Sequence, residues 1–370
     1  MATEWAGLIN TTSKKELYDA EDRTIRGRYM LAKMKKEGRI VMDGNGRSCT
    51  WQIEVFEKAI QSYGDGQTID FTRTDRYRQM ELDWRGYVVD DMMTKKEERM
   101  NRGVEALINR YSEVIPNLIK DMRNKFGTDE LWLDGNAAGN EDRLHGIESF
   151  MATAQAAAAA DKVADPGDTY GNLSTALNTF GGTWTSDLTT SPNANAAVDW
   201  PEGKGDSSYD ATSPKLINWS SNNWGTNSTS WEDNCERAIR YGRTFSAMTG
   251  GKDGSPQAVL MSGGLYNDFL NKQQSVFRNI IPHKDTDDLG FSGEYVNFEG
   301  AVLTPDFGIS PNIGYGVNFQ ELELTSLFDR LFDVDGPDWD IKTQSHLFVV
   351  RMFGNMRFNP KGFFKLLNYA

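Results

Sequence analysis

The chain has 370 residues, 53 acidic against 40 basic side chains (net charge −13), and a 38% hydrophobic fraction. That length is enough for two or three compact units with a sizeable core, and the composition excludes disordered and membrane-embedded classes. No run of about eighteen apolar residues and no basic-then-apolar leader appears, which excludes membrane spans and a visible secretory signal.

Only Cys49 and Cys235 are present, too few for a disulfide framework. His145, His283 and His346 stand without Cys, Asp or Glu at ligand spacing, so no metal centre and no cofactor are expected. Charge is uneven. Residues 1–130 hold 23 side chains of each sign, whereas 131–370 hold 17 basic and 30 acidic. Such a chain does not bind nucleic acid at large. The exception is Arg23, Arg26, Arg28, Lys33, Lys35, Lys36 and Arg39, a basic arm broken only by Glu37. A solvated helix face and an inward-facing contact to nucleic acid or a neighbouring chain both fit it.

In chain order, residues 1–39 read as an arm. Leu17, Ile25, Tyr29, Met30 and Met34 fall loosely on a helical period to Gly38, a stripe too thin to fold without a partner surface. From 40 to 87 the period becomes two. Trp51, Ile53 and Val55 alternate with polar residues, as do Met80, Leu82 and Trp84, around a turn at Tyr63–Gly66 and a polar stretch with Arg73, Arg76 and Arg78. That predicts a long two-stranded ribbon, marginal alone and in need of something to lie on.

Thr94-Lys-Lys-Glu97 is a capping box, and Val104, Leu107, Ile108, Tyr111, Ile115, Leu118, Ile119, Met122 and Phe126 repeat at three and four. A single helix over 94–127 follows, about 50 Å long, kinked at Pro116 and stopped by Gly127. From 135 to 231 only four basic residues remain. Ala156–Ala160 reads as a short helix and 191–227 as a loop-rich insertion. Helices are expected at 232–248 and after Gly263-Gly264, with strands at 258–261, 295–303, 317–324 and 347–360, giving an α+β fold.

Paired carboxylates at Asp90-Asp91, Asp287-Asp288 and Glu321 with Glu323 have the residue type for glycoside hydrolysis, but no tryptophan-lined subsite accompanies them. With 53 acids, chance pairs are expected, and no enzyme activity is read from them. Asp333–Asp340 alternates acids like a calcium loop without the closing glutamate, and reads as a turn.

Three passages carry a family resemblance: Asp83–Asp90 running into Lys95–Asn101, Leu131–Gly135 with Leu144–Ile147, and Phe353-Gly-Asn-Met-Arg-Phe-Asn-Pro360, with Thr169–Ser174 also similar. In this order they resemble the HK97-like major capsid proteins of tailed bacteriophages. The resemblance implies an N-arm (1–39), an extended β-ribbon loop (40–87), a peripheral domain (88–140 and 325–370) with spine helix 94–127, and an axial domain (141–324). It implies a structural protein of the virion, made in the host cytoplasm, whose pentamers and hexamers enclose double-stranded DNA. Partners would be further copies and scaffolding, portal and decoration proteins. No long scaffolding segment precedes the arm, so a separate scaffold or earlier removal is implied. Trp51, Ile53, Met80, Leu82 and Trp84 are expected to supply apolar contacts to a neighbour, and Arg73, Arg76 and Arg78 ionic ones. Some relatives join a loop lysine to an asparagine; Lys58 and Asn355 or Asn359 are the matching residue types, without a motif that assigns the role. An encapsulin-like compartment shares the fold, and a polysaccharide-active enzyme or binding module is the alternative of another class.

Overall fold

The computed structural model describes residues 29–54, 58, 60–69, 71–100, 104–154, 163–164, 166–175, 184–185, 213–220, 228–250, 254–276 and 296–368. Arg23, Arg26, Arg28, the 156–160 helix and Asp287-Asp288 fall outside them.

The described chain opens with α1 (Tyr29–Lys36), whose residues 29–34 are buried. The thin stripe finds its partner in the chain's own core, with Tyr29 set edge-on to Phe319. Next come β1 (Ile40–Val41), β2 (Ser48–Glu54), β3 (Tyr77–Asp83) and β4 (Arg85–Thr94). The capping box then forms as expected: the Thr94 amide donates to Glu97 and the Glu97 amide to the Thr94 hydroxyl, at 3.2 and 3.4 Å. It opens α2 (Lys95–Met100), followed by α3 (Val104–Lys125), which contains Pro116. Gly127 does not stop the helix. A π turn continues through Phe126–Glu130, and the Gly127 carbonyl accepts from the Trp132 indole (3.4 Å).

Short strands follow: β5 (Thr153–Ala154) pairs with β6 (Val163–Ala164), and β7 (Thr169–Tyr170) with β8 (Leu173–Ser174). Then come β9 (Trp184–Thr185), β10 (Lys215–Asn218), α4 (Trp231–Gly250), β11 (Ala258–Met261), α5 (Gly263–Val276), β12 (Val296–Phe298), β13 (Ala301–Pro305), β14 (Gly314–Val317), β15 (Leu322–Ser326), β16 (Asp333–Asp340), β17 (Ser345–Phe358) and β18 (Phe364–Leu367).

Two sheets organise these elements. In the first, β17 is the axis. Its residues 345–351 are flanked by β16 on one side and β4 on the other, and its end pairs with β15, which also takes β1 in parallel. Helix α3 lays Ile115, Leu118, Ile119 and Met122 beneath this sheet among Phe348, Val350 and Met352. Full burial of each such side chain stabilises the fold by roughly 1.5–3 kcal/mol. The second sheet runs β12-β13-β11-β14-β18-β10-β9. Its interior strand β11 is apolar and fully buried, as a strand covered on both faces must be. Helices α4 and α5 cover one side through Trp231, Cys235, Ile239, Leu265 and Phe269.

Five expectations change here. Residues 215–218, inside the expected loop-rich insertion, form buried β10, stitched between β18 and β9; only long-range pairing reveals so short a strand. The expected 317–324 strand is divided by a 3-10 turn at 319–321, whose Asn318 side chain accepts from the Gln320 amide, sending β14 and β15 into different sheets. The 295–303 strand is a hairpin, because Glu299 and Gly300 both take positive φ, the signature of a tight hairpin turn. Asp333–Asp340 is an edge strand rather than a turn, interrupted by a bulge between Asp335 and Asp338. Residues 364–367, expected with the 325–370 segment of the peripheral domain, pair with β14 and β10 in the second sheet.

Candidate assembly surface

The ribbon is built as its periodicity demands, and its two faces have different fates. In the β2–β3 ladder, Cys49 lies opposite Leu82 and Trp51 opposite Met80, so the apolar side chains share one face. That face turns inward. Met80 and Leu82 are buried in this chain's own core, Cys49 with them, and Trp51 and Ile53 are half-buried against it. The dock is the β7–β8 hairpin: Trp51 meets the Tyr170 ring (6.2 Å between centroids), and the Glu81 amide donates to the Gly171 carbonyl (3.2 Å). Gly171 has φ +59, and a Cβ there would meet the Met80 side chain at 2.6 Å, so glycine is needed for the approach. Trp84, half-buried, donates to the Gly46 carbonyl (3.1 Å) and closes the turn before β2.

The expectation that Met80 and Leu82 supply contacts to a neighbour is therefore corrected: they are spent inside the subunit. The ribbon's own exposed apolar residues lie toward its tip. Ile60 is 99% and Phe71 91% exposed, with Tyr63, Ile69 and Tyr77 also open. Among the described residues Ile60, Tyr63, Ile69 and Phe71 lie outside any ladder, so no periodicity marks them; isolated large apolar residues in a polar loop were the available signal. Arg73 and Arg76 are exposed there. Arg76 lies 3.6 Å from Glu54, and half-buried Arg78 pairs with Asp75 at 3.2 Å. Lys58 donates to the Thr72 carbonyl (2.5 Å).

The basic arm is also redistributed. Lys33 is 7% exposed and bridges to Glu37 (3.1 Å), while Lys35 and Lys36 remain exposed. Arg39 bonds Gln320 and lines a cleft of about 290 Å³ beneath the ribbon, between Trp51 and Ile53 on one wall and 320–323 with 357–359 on the other. In that cleft Arg357 pairs with Glu323, and Asn359 donates to Glu321 (2.9 Å). The Glu321 and Glu323 carboxylates are thus engaged in structural contacts.

Two buried polar clusters, not marked by any motif, fix the ribbon root to the body. The Tyr87 hydroxyl donates to Glu130 (2.5 Å) and accepts from the Leu144 amide (2.7 Å), and Arg143 holds the same carboxylate through Nη2 (2.5 Å) and Nε. Burial first, and the bond to Glu130 second, raise the Tyr87 pKa. In the second cluster, Asn355 accepts from the His145 amide (3.2 Å) and donates to the Asp83 carbonyl (2.8 Å), while Tyr170 bonds both Met356 and Phe358 of β17. Asn355 is fully buried and engaged at both amide atoms. Burial, aided by nearby Arg85, lowers the His145 pKa to about 4. Among the described residues no group of three or more His, Cys, Asp or Glu is placed to hold a metal ion, and no helix is long and apolar enough to cross a membrane.

No family model and no curated protein matches this chain in sequence. Solved structures match in shape. A chain of the cyanophage A-1(L) capsid asymmetric unit superposes with a TM-score of 0.54 at 13% identity, covering 90% of each chain. A chain of the native GTA particle capsid gives 0.49 at 10% identity, over 92% of this chain and 90% of that one. The capsid of Myoviridae phage XM1 gives 0.46 at 12% identity, over 90% of each. The match to the cyanophage capsid chain shows the fold, α+β and HK97-like, as the resemblance implied.

Proposed function

We propose that this chain, with the fold of a phage capsid subunit, is a structural major capsid protein whose copies form the pentamers and hexamers of an icosahedral shell around double-stranded DNA. The carrying observation is the match to the cyanophage capsid chain over 90% of both chains. The ribbon adds support, because its root is consumed by the subunit while its tip leaves Ile60 and Phe71 in water. Large apolar side chains exposed on a projecting loop fit a surface that another chain covers. Further copies are the primary partners, each contact weak and the closed shell tight through its many contacts. Scaffolding, portal and decoration proteins would be further partners, and the virion the final location.

The acidic excess in 131–370 keeps packaged DNA from adhering to the wall, and the basic 23–39 segment is where contact with DNA or a neighbour is proposed. The 290 Å³ cleft and the paired acids take structural roles in this reading. Negative-stain electron microscopy of the purified protein, with sedimentation, tests it. Closed shells or five- and six-membered rings are expected. A chain that stays monomeric even with the other head proteins of its gene neighbourhood overturns it.

A further inference from the structure

Among the described residues the first sheet ends on three strands: β1, two residues long, β16 and β4. Strand β16 protects its edge with its bulge and with Gly336-Pro337, which cannot continue a ladder. Strand β4 is ten residues long and, among the described residues, paired only to β17. An uninterrupted edge of this length offers a row of backbone donors and acceptors to an added strand. Its outward face presents Val88 (55% exposed), Asp90 and Met92 (57% exposed).

The ribbon tip has the opposite need. Among the described residues, 71–76 make no backbone–backbone hydrogen bond; the Thr72 carbonyl is met only by Lys58. Phe71 is almost fully exposed, and Arg73 has no ionic partner among the described residues. Like-with-like pairing of two β4 edges would oppose their Asp90-Asp91 pairs, so a different segment is favoured.

We propose that residues 71–76 of one copy add as a strand to the free edge of β4 in a second copy, with Arg73 opposite Asp90. This rests on the shell reading and names the surface where two copies meet. Side chains two apart share a face of a strand. With Arg73 set against Asp90, an antiparallel strand places Phe71 opposite Met92, and a parallel one places it opposite Val88. Both are exposed apolar residues, so either direction matches charge to charge and apolar to apolar. A slip by one residue sets Arg73 beside Asp91 and turns Phe71 toward half-buried Val89 or buried Met93, so the apolar match on the exposed face is lost.

Cross-strand Cβ atoms lie about 4.5–5.5 Å apart, close enough for a disulfide after small adjustment. Cys49 and Cys235 are buried, so background crosslinking is small. The experiment compares shells of Arg73→Cys/Asp90→Cys with Arg73→Cys/Asp91→Cys after mild oxidation, on non-reducing denaturing gels. The first pair is expected to give dimers and a ladder of higher species at least tenfold stronger than the second. Shells in which the 73–90 pair stays monomeric, or links no better than 73–91, overturn the edge pairing while leaving the shell reading intact. The charge-reversed Asp90→Arg variant should assemble poorly, and adding Arg73→Asp should restore shells; no rescue in a chain that folds counts against the pairing. Unmutated protein that forms no shells under the same conditions overturns the shell reading and this contact with it.

Discussion

His145 shows what one buried side chain does to the whole. Its ring lies edge-on to Tyr170 with 3% exposure, and burial holds its pKa near 4, below the ordinary value of 6.5. Between these values the unfolded chain binds a proton that the folded chain refuses, so stability is full above about pH 6.5 and falls as pH drops toward 4. From pH 7 to pH 5 the loss is about 2 kcal/mol from this group. Denaturant midpoints at the two pH values should therefore converge in His145→Gln relative to the unmutated chain. An unchanged gap contradicts this role. Met80 and Phe71 make a second contrast. Met80→Ala opens a cavity and should cost about 2–5 kcal/mol of subunit stability. Phe71→Ser should leave stability within about 0.5 kcal/mol while impairing assembly. Urea unfolding of dissociated subunits, with sedimentation of assembly mixtures, separates the two effects.

Among elements, α2 depends on its cap. Thr94 and Glu97 satisfy each other's backbone amides where β4 ends and the helix begins. Thr94→Ala should lower stability by about 1 kcal/mol, seen as a lower urea midpoint at unchanged slope. A tighter constraint sits at β14, where a Cβ on Gly316 would overlap the buried Phe364 ring of β18. Gly316→Ala should cost about 1–3 kcal/mol through overpacking, and a thermal scan that shows no change would contradict this packing. The β14–β18 pairing brings the chain's last strand back into the second sheet. The Lys365 ammonium reaches Glu148 at 2.7 Å across that same region, tying β18 to the 3-10 turn at 147–150.

At the scale of the molecule, the ribbon divides into a root packed against this chain's own core and a tip whose apolar side chains are exposed. Replacing 58–74 by a short Gly–Ser link preserves the β2–β3 ladder, which runs from Ser48–Asp83 to Glu54–Tyr77. Such a chain should remain folded, with an unfolding midpoint close to that of the unmutated subunit, yet fail to close shells by electron microscopy. Normal shells from it would remove the tip from the assembly surface. A deletion reaching residue 79 would be less informative, because it also removes three rungs of the ladder and confuses folding with assembly.

Much of this was legible without coordinates, for a local reason. The capping box, the stripe from Ile115 to Phe126, the alternation of Trp51 with Ile53 and of Met80 with Leu82, and the strand from 347 onward all depend on short-range periodicity that neighbouring residues impose. The order of these elements carried the family resemblance even though identity to the cyanophage chain is only 13%. Tertiary structure alone decided which face each element spends. Met80, Leu82 and Lys33 were legible as apolar or basic, but their burial depends on Tyr170, Gly171 and Glu37 arriving from elsewhere or folding back. The buried strand at 215–218 lay hidden because its partners, 184–185 and 364–367, are distant in sequence. The open edge of β4 was equally invisible, since an edge is defined by the strand that does not come to pair with it.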